Sequence, residues 1–481
     1  MMPADALLRD GILISQCILN RMTATITSTL CERMLATTFD TLDAECVQRV
    51  KQAIRDGIAV AVAGARERAA VLLADHMKSL GGARQAGVWG HGFKTSTVQA
   101  AYVNGVATHV LDFEPMWLPP THSVSPVLPV ALALAEARGF SGRDIIAAVA
   151  KGMELQGRMQ YAGDQFEPEK LRFHPPGVAG VMGAAATAGA LLQLDVQKLA
   201  WALGIAGSRA GALLPNIGSM TKATHCGHAA RCGLEAALLA STGYTASEEI
   251  FEARRGLAAT YYPDGFDFER LLDFGRPFRV VDPGLAIKNF PSQFATHWAI
   301  AAALGVRNAI IDASEIERVV ITSPVMQYID RPRPAHGHEG KFSFQYTAAA
   351  ALLDGKVTID SFTDRRRFSP DMEALLNKIE LRQDPQLAGE WLNMRLTIDV
   401  VAAGRSHAYT SAGPKGAWGQ PPLTDAEHSL KLRDCLGRSL SPAANDEVLD
   451  LLGRLEALAA GDIKRMCDLI GKRPLRKVGQ S

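Results

Sequence analysis

The sequence predicts a mainly α-helical protein, in which a large all-α domain formed by both chain ends carries an inserted smaller α+β lid domain. Three observations predict this fold class. Apolar residues recur at spacings of three and four through residues 23–284, as they do along one face of a helix. Short strand-like runs appear in residues 285–420. Helical spacing then returns over residues 421–475, which we expect to pack back on the first domain.

Length and composition limit the class of the protein and its partners. The 481 residues are too many for one compact core, so two domains are expected. A formal net charge of +1, with 21% charged residues, gives no electrostatic basis for binding nucleic acid or a membrane surface. No apolar run reaches about 18 residues without a charge, which argues against a membrane span. We therefore expect a small-molecule partner.

The cysteines and the N-terminal residues indicate in which cellular compartment the protein is expected. The seven cysteines include no C-x-x-C pair, a usage typical of reduced thiols in a cytosolic protein. Residues 1–21 lack the basic start and the small-residue cleavage site of a signal peptide. We predict a cytoplasmic protein and leave open whether Met1 or Met22 is the start.

The helices of the first domain are predicted from apolar spacing and from residues that start or end helices. Ser141 and Thr245 are polar caps in front of helical runs, and Gly139 and Gly243 are helix stops. The predicted helices are 30–35, 46–63, 65–80, 96–110, 127–138, 142–160, 177–193, 195–208, 223–242 and 246–254.

The lid and the chain end follow from a change of pattern near residue 284. Strands are predicted at 317–322 and 378–381, with a hairpin of 394–401 and 407–410 around Ala403-Gly404. Helices are predicted at 294–303, 343–353 and 370–377 in the lid, and at 424–436, 444–458 and 461–470 after it.

Common cofactor and metal motifs are missing. The sequence has no G-x-x-x-x-G-K-[ST], H-E-x-x-H or G-x-S-x-G. Gly177, Gly180 and Gly183 have the wrong spacing for a dinucleotide loop, so we interpret them as sites of close helix packing. His225 and His228 lie three apart on a helix, but no carboxylate completes a ligand set. We predict neither a metal nor a cofactor.

The most informative stretch joins two small-residue helices through a loop. The first helix leads into Asp112, and a loop broken by prolines then presents Thr121 and His122. Other histidines, lysines and a tyrosine stand at predicted helix ends and loops: His174, Lys222, Lys288 and Tyr328. Lysines neutralise carboxylates, and histidine can take or give a proton at neutral pH. This set suits a small polycarboxylate.

The same residues carry a family resemblance. The supporting segments are Asn104-Gly105 through Asp112-Phe113, Thr121-His122, Leu128-Pro129 with Ala135-Glu136, Phe173-His174-Pro175, Ser219 to Lys222 with Gly227, Lys288-x-Phe290-Pro291, and Phe344-Gln345 to Gly355. Together they make the chain resemble the MmgE/PrpD family, over about residues 25–470. The family includes 2-methylcitrate dehydratase, cis-aconitate decarboxylase and iminodisuccinate epimerase.

The resemblance implies an active site in the cleft between the helical domain and the lid, a homodimer, and no metal or organic cofactor. It implies catalytic roles for Asp112, His122, His174 and Lys222, and substrate contacts for Lys288 and Tyr328. We expect Met116 and Gln293 to contact the substrate as well. Two positions depart from the family pattern. Met116 stands where many members have threonine, and Gln293 stands where the decarboxylases have histidine. Since glutamine cannot shuttle a proton, Gln293 weakens the expectation of decarboxylation.

The expected activity starts with removal of a proton next to a carboxylate of a small di- or tricarboxylic acid. We favour dehydration of a 2-methylcitrate-like substrate by a cofactor-independent lyase. Epimerisation of an iminodisuccinate-like acid and decarboxylation of cis-aconitate stay open. So does the assignment of base and acid between His122 and His174. A non-catalytic carboxylate-binding homologue is the alternative from another class.

Overall fold

The computed structural model describes residues 25–309 and 312–473, and it is mainly helical, as predicted. The two start positions considered above lie outside the described residues. The helices before the lid are α1 (Ile26–Ala36), α2 (Ala44–Gly64), α3 (Arg68–Leu80), α4 (Thr97–His109), α5 (Val124–Arg138), α6 (Gly142–Ala162), α7 (Ala179–Leu191), α8 (Val196–Gly207), α9 (Thr221–Ser241), α10 (Leu257–Tyr261) and α11 (Phe268–Leu272).

Small residues let the central helices of the first region pack closely. A side chain added to Gly105 on α4 would lie 2.7 Å from the Cα of Gly227 on α9. One added to Gly183 on α7 would lie 2.5 Å from the carbonyl oxygen of Gly152 on α6. Both approaches are shorter than a real carbon contact, so only glycine fits. The predicted role of Gly183 in helix packing is therefore confirmed.

The second region combines a mixed sheet with helices. Its helices are α12 (Thr296–Arg307), α13 (Gly337–Gly340), α14 (Phe344–Asp354), α15 (Asp364–Arg367) and α16 (Pro370–Leu376), and its strands are β3 (Ile316–Ser323), β4 (Ile379–Gln383), β5 (Leu396–Ala402) and β6 (Arg405–Ser411). The strand order is β4-β3-β5-β6, with β3 and β4 parallel and the other pairs antiparallel. Ala403 and Gly404 both have positive φ, 49° and 69°, which suits the tight hairpin turn predicted there.

Buried side chains form two hydrophobic cores. The first draws on residues 30–280 and 432–470, and the second on residues 286–417 together with Met116 and Leu118. The last helices are α17 (Asp425–Gly437), α18 (Pro442–Gly453) and α19 (Ala460–Ile470), and α17 packs on α2 while α19 packs on α5. The chain end thus adds to the first core, while two residues of the early loop reach the second.

The segment 246–254 corrects one prediction, because it forms turns and bends instead of a helix. Long-range bonds replace helical ones there. The backbone N–H of Phe251 donates to the hydroxyl of Thr27, and the Glu252 carboxylate accepts from the N–H and hydroxyl of Thr27 at 3.1 and 2.6 Å. The polar cap predicted at Thr245 therefore starts no helix.

A short hairpin is a second difference from the predictions. Strands β1 (Ala86–Val88) and β2 (Phe93–Thr95) pair antiparallel inside the region that we predicted to be helical. Three residues are too few to show alternation in the sequence. Distant polar groups fix the hairpin: Glu136 accepts from the N–H of Gly87, and Asn104 donates to the Gly87 carbonyl.

Two further observations concern the chain as a whole. Across residues 25–309 and 312–473, no helix is both long and apolar enough to cross a membrane. The cysteines in these ranges are unpaired and buried, at positions 31, 46, 226, 232, 435 and 467.

Candidate active site

A cavity of about 200 Å³ lies where the two cores meet. Seven of the eight residues that we singled out from the sequence line it: Asp112, Met116, His122, His174, Lys222, Gln293 and Tyr328. Their positions in the sequence span more than 200 residues, and five different segments of the fold bring them to one place. Lys288 is the exception, since it lies behind the cavity wall.

The loop after α4 shapes one side of this cavity, and buried lysines hold its backbone. Lys341 donates to the carbonyl of Val110, Lys288 to that of Asp112, and Lys431 to that of Phe113, at 3.3, 2.8 and 2.8 Å. Two of these lysines come from the lid region and one from α17. The loop therefore depends on contacts from both the lid and the chain end. Asp112 itself has φ of 51°, a left-handed conformation that aspartate tolerates better than most residues.

Asp112 and two lysines form a buried charge cluster. The ammonium of Lys222 lies 2.5 Å from Oδ2 of Asp112, and Lys288 contacts Oδ1. Burial opposes ionisation, but the two ammonium charges outweigh it and hold the pKa of Asp112 well below its usual range. Asp112 therefore stays charged, and it balances much of the positive charge beside the cavity.

Lys288 has no donor left for a substrate. Its side chain is 0% exposed, and it donates to the carbonyl and carboxylate of Asp112 and to the carbonyl of Ser292. We had expected Lys288 to contact the substrate from the lid side. Its contacts indicate that it orients Asp112 instead, so we revise that expectation.

Four histidines and Glu114 form a second buried cluster beside the first. Glu114 Oε1 lies 2.5 Å from Nδ1 of His109 and 2.9 Å from Nδ1 of His122. Nδ1 of His174 lies 3.1 Å from Nδ1 of His225. The rings of His122 and His174 are 5.8 Å apart and both line the cavity. A single bound molecule can therefore contact both.

These histidines are neutral at physiological pH. Burial, with the nearby charge of Lys222, lowers the pKa of His109 to about 3 and that of His225 to about 4. Burial also lowers the pKa of His122 and of His174. A neutral imidazole has a free lone pair, so His122 and His174 are ready to accept a proton. His122 Nε2 lies 3.9 Å from Asp112, too far for a hydrogen bond.

Apolar side chains form another part of the cavity lining. Met116, Phe294 and Trp391 come from the second core, and Leu214 and Ile217 from the loop before α9. Gln293 is fixed in this wall because its amide donates to the Tyr328 hydroxyl at 3.0 Å and accepts from the N–H of Ala295. Its carbonyl and amide are both engaged, which leaves it little freedom to turn towards a ligand.

Sequence reasoning missed several residues of the site. His109 and Glu114 flank Asp112 within five residues, and their spacing around a proline-rich loop was a usable signal. His225 was weighed as a metal ligand, whereas the structure pairs it with His174. Nothing in the local sequence marks Lys341 or Lys431, because their carbonyl partners lie hundreds of residues away.

The fold and the cavity define a mainly helical protein with an inserted α+β region and a cavity lined by histidines and a lysine. Comparisons identify the family. Residues 28–269 match the MmgE/PrpD N-terminal domain and residues 290–455 match the MmgE/PrpD C-terminal domain, so the chain belongs to the MmgE/PrpD family.

Similar proteins carry two enzyme names. Cis-aconitate decarboxylase of Mus musculus is 34% identical over 426 residues, which cover 86% of this chain and 87% of that protein. Cis-aconitate decarboxylase of Aspergillus terreus is 25% identical, covering 94% of this chain and 97% of that protein. The 2-methylcitrate dehydratase of Cupriavidus necator is 25% identical, covering 64% and 66%.

Proposed function

We propose that the protein is a cofactor-independent lyase that dehydrates a 2-methylcitrate-like acid. One observation carries the proposal: two neutral, buried imidazoles, His122 and His174, line the same cavity as the ammonium of Lys222. A lyase of this kind needs a proton acceptor, a proton donor and a cation beside the forming negative charge. A neutral imidazole is the acceptor, the imidazolium that it becomes on taking the proton is the donor, and Lys222 is the cation.

The chemistry can be followed atom by atom. One of the two imidazoles removes the proton on the carbon next to a substrate carboxylate, and Lys222 stabilises the negative charge that develops on that carboxylate. The electron pair then forms the carbon–carbon double bond as the bond to the neighbouring hydroxyl breaks. The imidazole that took the proton is now an imidazolium, and this proton passes, directly or through the second histidine, to the leaving hydroxyl, which departs as water and leaves both imidazoles neutral again.

The protonation state of the histidines favours this order of events over decarboxylation. Loss of CO2 from an unsaturated acid needs a group that already carries a proton for carbon. His122 and His174 have lowered pKa values and are unprotonated at neutral pH. Gln293 occupies the nearby wall and cannot transfer a proton. A reaction that begins with proton removal suits this site better, and epimerisation would share that first step.

Decarboxylation of cis-aconitate is the second candidate. The relatives named as cis-aconitate decarboxylases match more of this chain than the relatives named as dehydratases, as the coverage figures of 86% and 64% show. The apolar wall around Phe294 and Trp391 adds support, because a carboxylate held against apolar groups is destabilised relative to neutral CO2.

Proton NMR in D2O distinguishes these reactions. The purified protein is incubated with chelator and with citrate, 2-methylcitrate, cis-aconitate or iminodisuccinate. We expect vinylic signals from 2-methylcitrate. Deuterium at carbon with inversion and no elimination would establish an epimerase, and CO2 from cis-aconitate would establish the decarboxylase. Binding without turnover of any of them would support the non-catalytic alternative.

A matched pair of variants tests the role of the cavity cation. Lys222→Met should lower kcat/KM by about 100-fold or more, since a lost charge at a developing anion costs that much. His76→Asn serves as the control, because His76 is exposed and outside the cavity lining. Equal activity of the two variants would remove Lys222 from the mechanism.

Assembly and compartment are part of the proposal. We propose a cytoplasmic homodimer with a small polycarboxylate as its partner, and no role in binding nucleic acid or membranes. The family resemblance supports the dimer, and unpaired buried cysteines support a reducing compartment. Light scattering of the purified protein tests the dimer.

A further inference from the structure

The imidazole cluster has the geometry of a metal site as well as of an acid–base site. His109, His122 and His174 each offer a nitrogen, and the three nitrogens lie within 4.8 Å of one another. The three rings have centroid distances of 4.2, 5.6 and 5.8 Å, so they form a compact triangle. Three histidines with an open fourth position are a common ligand set for zinc.

The same nitrogen of each ring faces a neighbouring polar side chain. Nδ1 of His109 and Nδ1 of His122 face the Glu114 carboxylate, and Nδ1 of His174 faces His225. Nε2 is thereby the nitrogen left for a further ligand on each ring. On His109 this atom is buried and has no hydrogen-bond partner. Metal-binding histidines usually have this arrangement, with a carboxylate or another acceptor fixing the ring from behind.

Two carboxylates, those of Asp112 and Glu114, lie beside the imidazoles. The Asp112 carboxylate is already matched by Lys222 and Lys288. Glu114 lies against two of the rings, with Oε1 2.5 Å from Nδ1 of His109 and 2.9 Å from Nδ1 of His122. Its other oxygen, Oε2, is buried without a hydrogen-bond partner. Two carboxylates and two ammonium groups balance here, so the imidazole nitrogens, and not a net negative charge, are what hold a cation.

We propose that His109, His122 and His174 form an inhibitory site for one Zn²⁺ ion or a similar divalent transition-metal ion. The ion takes the lone pairs that His122 and His174 would use for proton transfer, and it occupies the cavity edge where substrate binds. Glu114 supports two of the three ligands from behind. The inhibition rests on the proposed lyase function, whereas the binding site itself does not.

Metal binding is measured first without any substrate. The full-length protein is treated with chelator, dialysed and titrated with Co²⁺, whose visible absorbance reports tetrahedral nitrogen ligation, and with Zn²⁺ by calorimetry. We expect one ion per chain. Absence of the tetrahedral Co²⁺ spectrum together with absence of Zn²⁺ heat would overturn the site, whatever the enzyme turns over.

Variants locate the ion. Glu114→Gln should weaken metal binding by about 10- to 100-fold, the usual effect of losing a carboxylate behind a ligand. His109→Asn should weaken it further, and His76→Asn should leave it unchanged. Circular dichroism checks that each variant folds. Wild-type affinity in folded His109→Asn would mean an ion bound elsewhere, and the proposal would be wrong.

Activity then separates the inhibition from the lyase function. With 2-methylcitrate as substrate, added Zn²⁺ should abolish turnover and chelator should restore it. Turnover that needs the ion would make it an activator and overturn the inhibitory role. A protein that binds Co²⁺ but converts none of the four acids would disprove the lyase function and leave the metal site standing.

Discussion

Two buried polar clusters lie side by side at the base of the cleft, and they are built on opposite principles. In the charge cluster of Asp112, Lys222 and Lys288, each charge has an oppositely charged neighbour. In the imidazole cluster of His109, His122, His174 and Glu114, buried nitrogens and an oxygen have no partner. The first arrangement resists change, whereas the second has free positions for a proton, a substrate or an ion.

The two clusters depend on each other. The ammonium of Lys222 contributes to the lowered pKa of His109 and of His174, second only to burial. The charge cluster thus keeps the imidazoles neutral while it fixes the loop that carries His122. A rigid charged frame next to a set of neutral bases is the arrangement that the proposed proton transfer requires.

Removal of Asp112 should have the largest effect. Asp112→Ala leaves Lys222 and Lys288 buried without their carboxylate, and breaking a buried ion pair costs about 3–5 kcal/mol. Urea unfolding measures the loss. Asp40→Ala is the control, because its partner Arg143 is half-exposed and a surface pair contributes about 0–1 kcal/mol. Similar losses in the two variants would mean that the charge cluster does not stabilise the fold.

Removal of His122 should instead affect activity and spare the fold. His122→Asn should lower kcat by about 100- to 10,000-fold, the usual contribution of a general acid or base, with a much smaller change in unfolding free energy. Steady-state rates and urea unfolding of the same preparation give both values. A variant that keeps wild-type turnover would take His122 out of the reaction and leave His174 as the remaining candidate.

The pH dependence should show the influence of one cluster on the other. Because the pKa of His122 and of His174 is lowered, the neutral form persists below the ordinary histidine value of about 6.5. The rate kcat/KM should stay level as pH falls through 6.5 and decline only at lower pH. In Lys222→Met, NMR of the ring signals should show the histidine pKa values moving up. A wild-type decline centred at 6.5 or above would contradict the assignment.

The same lowered values predict how stability responds to acid. The unfolded chain binds protons at its histidines below pH 6.5, while the folded protein keeps His109 and His225 neutral down to about 3 and 4. The unfolded state therefore binds more protons in this window, and the free energy of unfolding should fall as pH decreases from 6.5 towards 4. Urea unfolding at several pH values measures it, and a flat profile would mean that these rings are protonated in the folded protein.

Residues of both clusters could be predicted from the sequence, but the contacts that hold them in place could not. Asp112, His122, His174 and Lys222 stand out at helix ends and loops, where catalytic groups tend to lie. The fold class followed from apolar spacing, and the hairpin turn from Ala403-Gly404. The contacts that could not be predicted mostly join residues that are far apart in the sequence. Lys341 holds Val110 from 231 positions away, and no local pattern encodes that bond.

The incorrect assignments have the same cause. Segment 246–254 has the composition of a helix but bonds to Thr27. Lysine is a residue type that often binds anionic ligands, but the ammonium of Lys288 donates its hydrogen bonds to Asp112 and Ser292. In each case contacts with distant residues override the local preference of the sequence, and these contacts are visible only in the folded chain.

Substitution of Met116 should give the smallest effect and the finest test of the cavity. Met116 is 4% exposed, packs with the second core and contributes to the apolar lining of the cavity that the histidines also line. Met116→Thr should lower kcat/KM for 2-methylcitrate about tenfold more than for citrate, because one methyl group in an apolar pocket is worth roughly that much. Gln293→His is the matched variant on the same wall, and it should raise CO2 release from cis-aconitate by supplying a proton donor. If Met116→Thr lowers kcat/KM equally for citrate and 2-methylcitrate, the apolar wall does not distinguish the two substrates by their alkyl group. The discrimination would then lie on the histidine side, among groups that contact the reacting carbon.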